Sequence, residues 1–168
     1  MPRRPAAHAA LTEPPPDSDP ALPIDDLPGH HIRRLQQIAV AVFLQETEGL
    51  GVTPVQFAAL QSVANAPGLD QRTLSRSIGL DTSTVAGVVD RLEARGLLRR
   101  DVSPDDRRAR VLASTAEGQA LLRQVVPGML RAQQRMLAPL NKRDRAEFMR
   151  LLTILVTANN ELSRAPSE

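Results

Sequence analysis

One stretch, residues 97–113, departs from the three- and four-residue apolar spacing that governs the folded part of the chain. Leu97-Leu98-Arg99-Arg100 and Arg108-Ala109-Arg110-Val111-Leu112 flank Ser103-Pro104-Asp105-Asp106, two short runs around a turn-rich tip, and this predicts a β-hairpin. No other segment carries a strand signal, so the fold class is mostly α with one two-stranded β element.

The helices follow from periodicity and its punctuation. From His30 to Glu48 the residues Ile32, Leu35, Ile38, Ala39, Val42 and Phe43 share one face, and Gly49 and Gly51 end the run. Thr53 before Pro54 reads as a hydroxyl N-cap with proline at the first helical position, opening a helix that stops near Pro67-Gly68. A short helix over about 71–77 directs Leu74 and Ile78 inward and breaks at Gly79. Asp81, Thr82, Ser83 and Thr84 then offer caps for a helix whose Val85, Val88, Val89 and Leu92 form one stripe, closed by Gly96.

After Ser114 and Thr115 a long helix carries Leu121, Leu122, Val125, Val126, Met129, Leu130, Met136 and Leu137, with a kink rather than a break expected at Pro127. A last helix, about 142–162, presents Phe148, Leu151, Leu152, Leu155 and Val156. Eight of the 14 prolines fall in residues 1–28, where two arginines face five acids, so this segment is expected to be a disordered or extended acidic arm.

Two helices joined by a glycine turn and followed by a hairpin have the layout of a winged helix-turn-helix. Free N–H groups and the dipole at the start of the second helix favour phosphates and polar base edges, so Thr82, Ser83 and Thr84 are candidates for groove contact; capping alone is the plainer reading. Residues 71–110 hold nine arginines against six acids, an excess of +3, more local than the net +2 of the whole chain. Arg72, Arg76, Arg91 and Arg95 are then phosphate anchors, although Arg91 and Arg95 equally suit surface pairs with Asp90 or Glu93. At the hairpin tip Arg107 and Arg108 suit a narrow minor groove, against the alternative of a solvated charged turn. Arginines 99, 100, 107, 108 and 110 crowd the ribbon, and their mutual repulsion favours an anionic partner.

DTSTVAGVVDRLEARGLLRR at 81–100, DDRR at 105–108 and STAEG at 114–118 resemble the winged helix of MarR-type transcriptional regulators. The resemblance spans about residues 28–162. It implies an obligate homodimer in which the terminal helices, 29–50 and 114–165, pack across a two-fold axis. That arrangement sets two DNA-binding lobes, residues 53–113, on a pseudo-palindromic operator. The apolar content of the terminal helices agrees, since it exceeds what a small domain buries.

The resemblance also implies a wing-tip arginine oriented by a nearby acid, Arg108 with Asp106, or Arg107 with Asp105 if the register slips by one. The reading helix departs from the family pattern at Ala86 and Gly87, where a polar or basic residue is common; Gly87 suggests close backbone approach to DNA or to another helix. Many members release DNA when a small aromatic acid or phenol binds between the first helix, the second helix and the long one after the wing. The corresponding residues here are His30, His31 and Arg34, with Phe57 as an apolar wall. The bland reading of the two histidines is a polar helix start, and His8 is given no role.

Composition narrows the alternatives. Cysteine is absent, which removes disulfides, thiolate metal sites and redox sensing by cysteine. Phe43, Phe57 and Phe148 are the only aromatics, too few for a single-strand stacking platform. With no H-E-x-x-H, G-x-S-x-G or glycine-rich phosphate loop, neither catalysis nor a cofactor or metal is expected. No apolar run is long enough for a membrane span, so the expected setting is cytoplasmic and without membrane partners. The expectation is a repressor of double-stranded DNA released by an aromatic carboxylate or phenol. A winged-helix protein-interaction or dimerisation module without ligand control is the alternative, and salt-dependent duplex binding separates the two.

Overall fold

The structure, a computed structural model, describes residues 23–104 and 106–162. Among them are six α-helices and one two-stranded antiparallel sheet: α1 Pro28–Glu46, α2 Pro54–Asn65, α3 Gln71–Ile78, α4 Thr82–Ala94, β1 Leu98–Val102, β2 Arg110–Ser114, α5 Ala116–Met136 and α6 Lys142–Ala158. The mostly α winged-helix architecture is therefore as expected. Residues 1–22 of the acidic arm and residues 163–165 of the last segment lie outside the described residues. The arm's end is corrected: Ile24–Asp26 form a 3-10 turn, and α1 begins at Pro28 rather than His30. Proline is favoured in the first turn because its missing N–H is one a helix leaves unpaired there.

Local chemistry sets the helix ends. Thr53 and Gln56 cap α2 reciprocally, side chain to backbone in both directions. Asp70 caps α3 by accepting the Thr73 N–H at 2.6 Å, and Gly79 ends it at φ 69°, a left-handed conformation that glycine adopts without a Cβ clash. Asp81 caps α4, accepting the Thr84 N–H at 2.8 Å. Thr115 caps α5 and also donates its hydroxyl to the Gly96 carbonyl at 2.6 Å. α5 runs through Pro127 without a break.

Two apolar clusters form the interior. The larger joins α2, α3, α4 and the hairpin through Leu60, Val63, Leu74, Val85, Val89, Leu92, Leu98 and Leu112. The smaller sits between α1 and α5 on Phe43, Val52, Val125 and Ala132. Phe57 touches both, its ring 5.9 Å from that of Phe43. The hairpin pairs Leu98 with Ser114 and Val102 with Arg110. Its second strand is anchored to the α2–α3 connection by Leu112, whose N–H donates to the Leu69 carbonyl at 2.9 Å and whose carbonyl accepts from Gly68 N–H at 3.0 Å.

Two glycines let α5 approach. A Cβ on Gly118 would lie 2.1 Å from the Leu97 carbonyl oxygen, and one on Gly128 2.4 Å from that of Glu46. The threonine and glycine of STAEG thus seat the first turn of α5 on the α4–β1 junction. At its other end Glu46 accepts from Arg131 and Arg135, both at 2.8 Å, which holds its carboxyl below the usual range. No residue of α6 is buried. Among the described residues no helix is long and apolar enough to cross a membrane.

Candidate nucleic-acid interface

The turn from Gly79 to Asp81 leads into α4 with its apolar stripe inward, so the opposite face and the first turn are left outside. Thr82, Ser83 and Thr84 are exposed there. The hydroxyls of Ser83 and Thr84 both donate to the Asp81 carboxylate, the latter at 2.7 Å. These donors, together with the Thr84 N–H, hold the Asp81 carboxyl far below the usual carboxylate range. The cap is therefore the aspartate, while the two hydroxyls brace it and keep their oxygens free to accept.

The arginines divide into held and free groups. Arg100 on β1 reaches back to α4, donating through Nη1 to Glu93 and through Nη2 to Asp90; its backbone N–H also donates to Glu93 at 3.3 Å. The Asp90 contact contributes most to raising the Arg100 pKa. Arg99 pairs with Asp101 at 2.8 Å on its own strand. Two of the five arginines crowding the ribbon are thus neutralised within the chain, which reduces the expected repulsion.

The predicted partners of Asp90 and Glu93 are corrected as well. Both acids face Arg100, because the Gly96 turn folds β1 back along α4. Arg95, expected on phosphate, instead donates Nη1 to the Gly51 carbonyl at 2.6 Å and fastens the end of α4 to the α1–α2 connection. A seven-residue separation of Glu93 and Arg100 across a glycine was the available sequence signal.

Arg72, Arg76, Arg91, Arg107 and Arg108 are exposed, and among the described residues none is in an ion pair. Arg76 is steadied by donating to the Thr73 hydroxyl at 3.2 Å. At the tip Asp106 accepts the Arg108 backbone N–H at 2.9 Å, so this acid shapes the turn that carries the arginine. Asp105, the acid of the shifted register, lies outside the described residues. The helix-packing half of the Gly87 expectation is also corrected. A Cβ there would meet only the Arg91 guanidinium, at 3.5 and 3.9 Å, so among the described residues no other helix comes within 4 Å of that point.

The candidate effector residues do not form one group. His30 lies 3.6 Å from the Asp25 carboxylate, and His31 Nε2 meets the Asp25 carbonyl. Both imidazoles are engaged by the N-terminal turn. Burial lowers the His30 pKa, with Arg33, Arg34 and His31 adding to it, which favours a neutral ring. His31 and Arg34 border one shallow hollow with Leu35 and Ile38. Phe57 is not part of it. Its neighbour Phe43 lies 13 residues beyond His30 on α1, roughly 20 Å along the axis. A separate cavity of about 240 Å³ opens between α1, α2 and the helix-turn-helix, lined by Gln36, Pro54, Val55, Ala58, Ile78 and Leu80. Its lining was missed because these residues come from three elements with no shared sequence pattern.

A MarR family profile matches residues 50–109. Transcriptional regulator HosA of Escherichia coli O111:H- is 31% identical over 129 residues, spanning 77% of this chain and 94% of its own length. The PcaV transcriptional regulator of Streptomyces coelicolor, solved with its natural ligand, superposes with a TM-score of 0.77 at 38% identity, covering 82% of this chain and 97% of that one. A structure of Bordetella bronchiseptica BpsR, concerned with regulation of its DNA binding by 6-hydroxynicotinic acid, gives a TM-score of 0.75 at 30% identity, covering 78% and 94%.

Proposed function

The chain belongs to the MarR family of transcriptional regulators, and from that premise we propose a dimeric repressor that binds a pseudo-palindromic DNA duplex and releases it to a small aromatic acid or phenol. The observation that carries the DNA-binding part is the division among arginines. Those of the wing root are tied to acids, while Arg107 and Arg108 at the tip are exposed and in no ion pair among the described residues, on a turn shaped by Asp106. Together with the exposed first turn of α4, this gives one groove-sized element and one cationic finger per protomer.

Dimerisation is supported by α6: Phe148 and Leu152 are half-buried beside α1, but its other large apolar residues are left open among the described residues, Ile154 50% exposed and Val156 66%. A two-fold pairing of terminal helices buries them and brings two α4 helices to one face of the duplex, with half-sites about one helical turn apart.

The effector proposal rests on the cavity between α1 and α2. Leu80 lines it and directly precedes Asp81, so an aromatic ring seated there bears on the cap of α4. Arg34, exposed on α1 beside a separate hollow with His31, Leu35 and Ile38, is the proposed partner for a carboxylate, since the Nε2 of His31 already meets the Asp25 carbonyl. Release requires such a ligand to bind the DNA-incompetent arrangement more tightly than the competent one.

Fluorescence anisotropy with a duplex selected by the protein tests the reading. Arg108→Ala is expected to weaken binding by about 1–3 kcal/mol, the scale of one good groove contact. Unchanged affinity would overturn the role of the wing. Benzoates, phenols and pyridine carboxylates should raise the thermal midpoint and compete with the duplex; no response across all three classes removes the aromatic effector.

A further inference from the structure

We infer that Arg91 is a base-reading residue that recognises guanine, and that Gly87 is the vacancy that positions it. This rests on the reading of the chain as a duplex-binding regulator. Positions 83, 87, 90 and 94 run down the middle of the face of α4 opposite Val85, Val88, Val89 and Leu92, the face a major groove receives. At the centre of that face stands a residue without a side chain. Both terminal nitrogens of Arg91 lie within 4 Å of the point a Gly87 Cβ would occupy. The guanidinium therefore lies along the helix toward the exposed Thr82–Thr84 turn, in the direction helical side chains lean.

Charge on the same helix makes this arginine distinct. The two carboxylates of the helix, Asp90 and Glu93, lie one and two positions from Arg91, a spacing that does not face it, and both pair with Arg100 instead. Arg91 is left without an acidic partner among the described residues, and the negative charge of Asp90 on the groove face is offset by the wing root. A planar fork free to turn on a bare stretch of backbone matches the O6 and N7 acceptors of guanine in two parallel hydrogen bonds. A phosphate anchor needs only reach and charge; it has no use for a glycine beneath it in a helix interior, where that residue is unfavourable.

The experiment is selection from a randomised duplex library by the full-length protein and its Arg91→Ala, Arg91→Lys and Gly87→Leu variants, followed by anisotropy on the selected duplex. The wild type is expected to choose G·C at one position per half-site. Arg91→Ala and Arg91→Lys should lose that preference and bind the chosen duplex about tenfold more weakly or worse. Replacing that guanine with 7-deazaguanine, which lacks the N7 acceptor, should weaken the wild type and leave Arg91→Ala unaffected.

Gly87→Leu should lose the preference with Arg91 still in place, its circular dichroism and thermal midpoint showing that the lobe remains folded. A uniform loss on all duplexes for Arg91→Ala, with the base preference kept and the salt dependence reduced by about one ion, makes Arg91 a phosphate anchor and overturns the assignment. If Gly87→Leu keeps the preference, the positioning role of the glycine falls. If the wild type enriches no duplex at all, the regulator reading itself fails, and this assignment with it.

Discussion

In the lobe from α2 to β2, the apolar stripes visible in the sequence end on buried side chains. Leu60, Leu74, Val85, Val89 and Leu92 are fully enclosed. In α6 the same helical spacing ends largely in solvent, with Met149, Leu151, Ile154, Leu155 and Val156 all more than two-fifths exposed. The lobe closes because three short helices and a hairpin cover one another from different directions. A terminal helix has only one neighbour direction within its own chain. Equal periodicity therefore records that a face must be buried, and the difference between the two regions shows that it does not record by what.

The largest effect is expected where the core is closed. Leu92→Ala should cost the lobe about 2–5 kcal/mol in denaturant unfolding, because the enclosing residues cannot collapse fully onto the vacated volume. Leu155→Ala, at a residue 53% exposed within its own chain, should by contrast shift unfolding little when measured at dilutions that separate the protomers. Similar losses for the two would break the comparison.

A second expectation sharpens the contrast from the other side. Placing charge on the open face with Ile154→Asp and Leu155→Asp should shift sedimentation equilibrium toward monomer, with the circular dichroism of the lobe retained. A double variant that remains dimeric would mean that α6 is not the covered surface.

The smallest effect concerns the caps of the helix-turn-helix. The Asp81 carboxyl is depressed by Ser83, Thr84 and the Thr84 N–H, and that of Asp70 chiefly by the Thr73 N–H. A carboxylate with a lowered folded pKa stabilises fully above its unfolded value, near pH 4, and the benefit is lost as pH falls through the folded value. The wild type should therefore lose stability on acidification below about pH 4 more steeply than Asp81→Asn. Parallel acid profiles would show that the aspartate contributes through its shape alone.

Much of this was legible along the chain because capping and periodicity are local. Thr53-Pro54, Gly79 and the strands around Ser103-Pro104 announced their elements within a few residues. The held arginines were not legible: Arg95 reaches Gly51 across 44 positions, and Arg100 meets two acids only because a turn lays β1 against α4. The effector residues failed to assemble for a similar reason, since His30 and Phe57 sit at opposite ends of the α1 packing surface, a separation that helix length imposes and residue type does not reveal.

By itself the amino-acid order determined where helices start and stop, which faces are apolar and which short ribbon is β, since each depends on backbone chemistry within one or two turns. The tertiary arrangement alone decided which guanidinium groups are cancelled and which stay available, and which apolar face closes and which is left for a partner. Both outcomes depend on distances between segments far apart in the chain, and coulombic pairing and burial act through those distances.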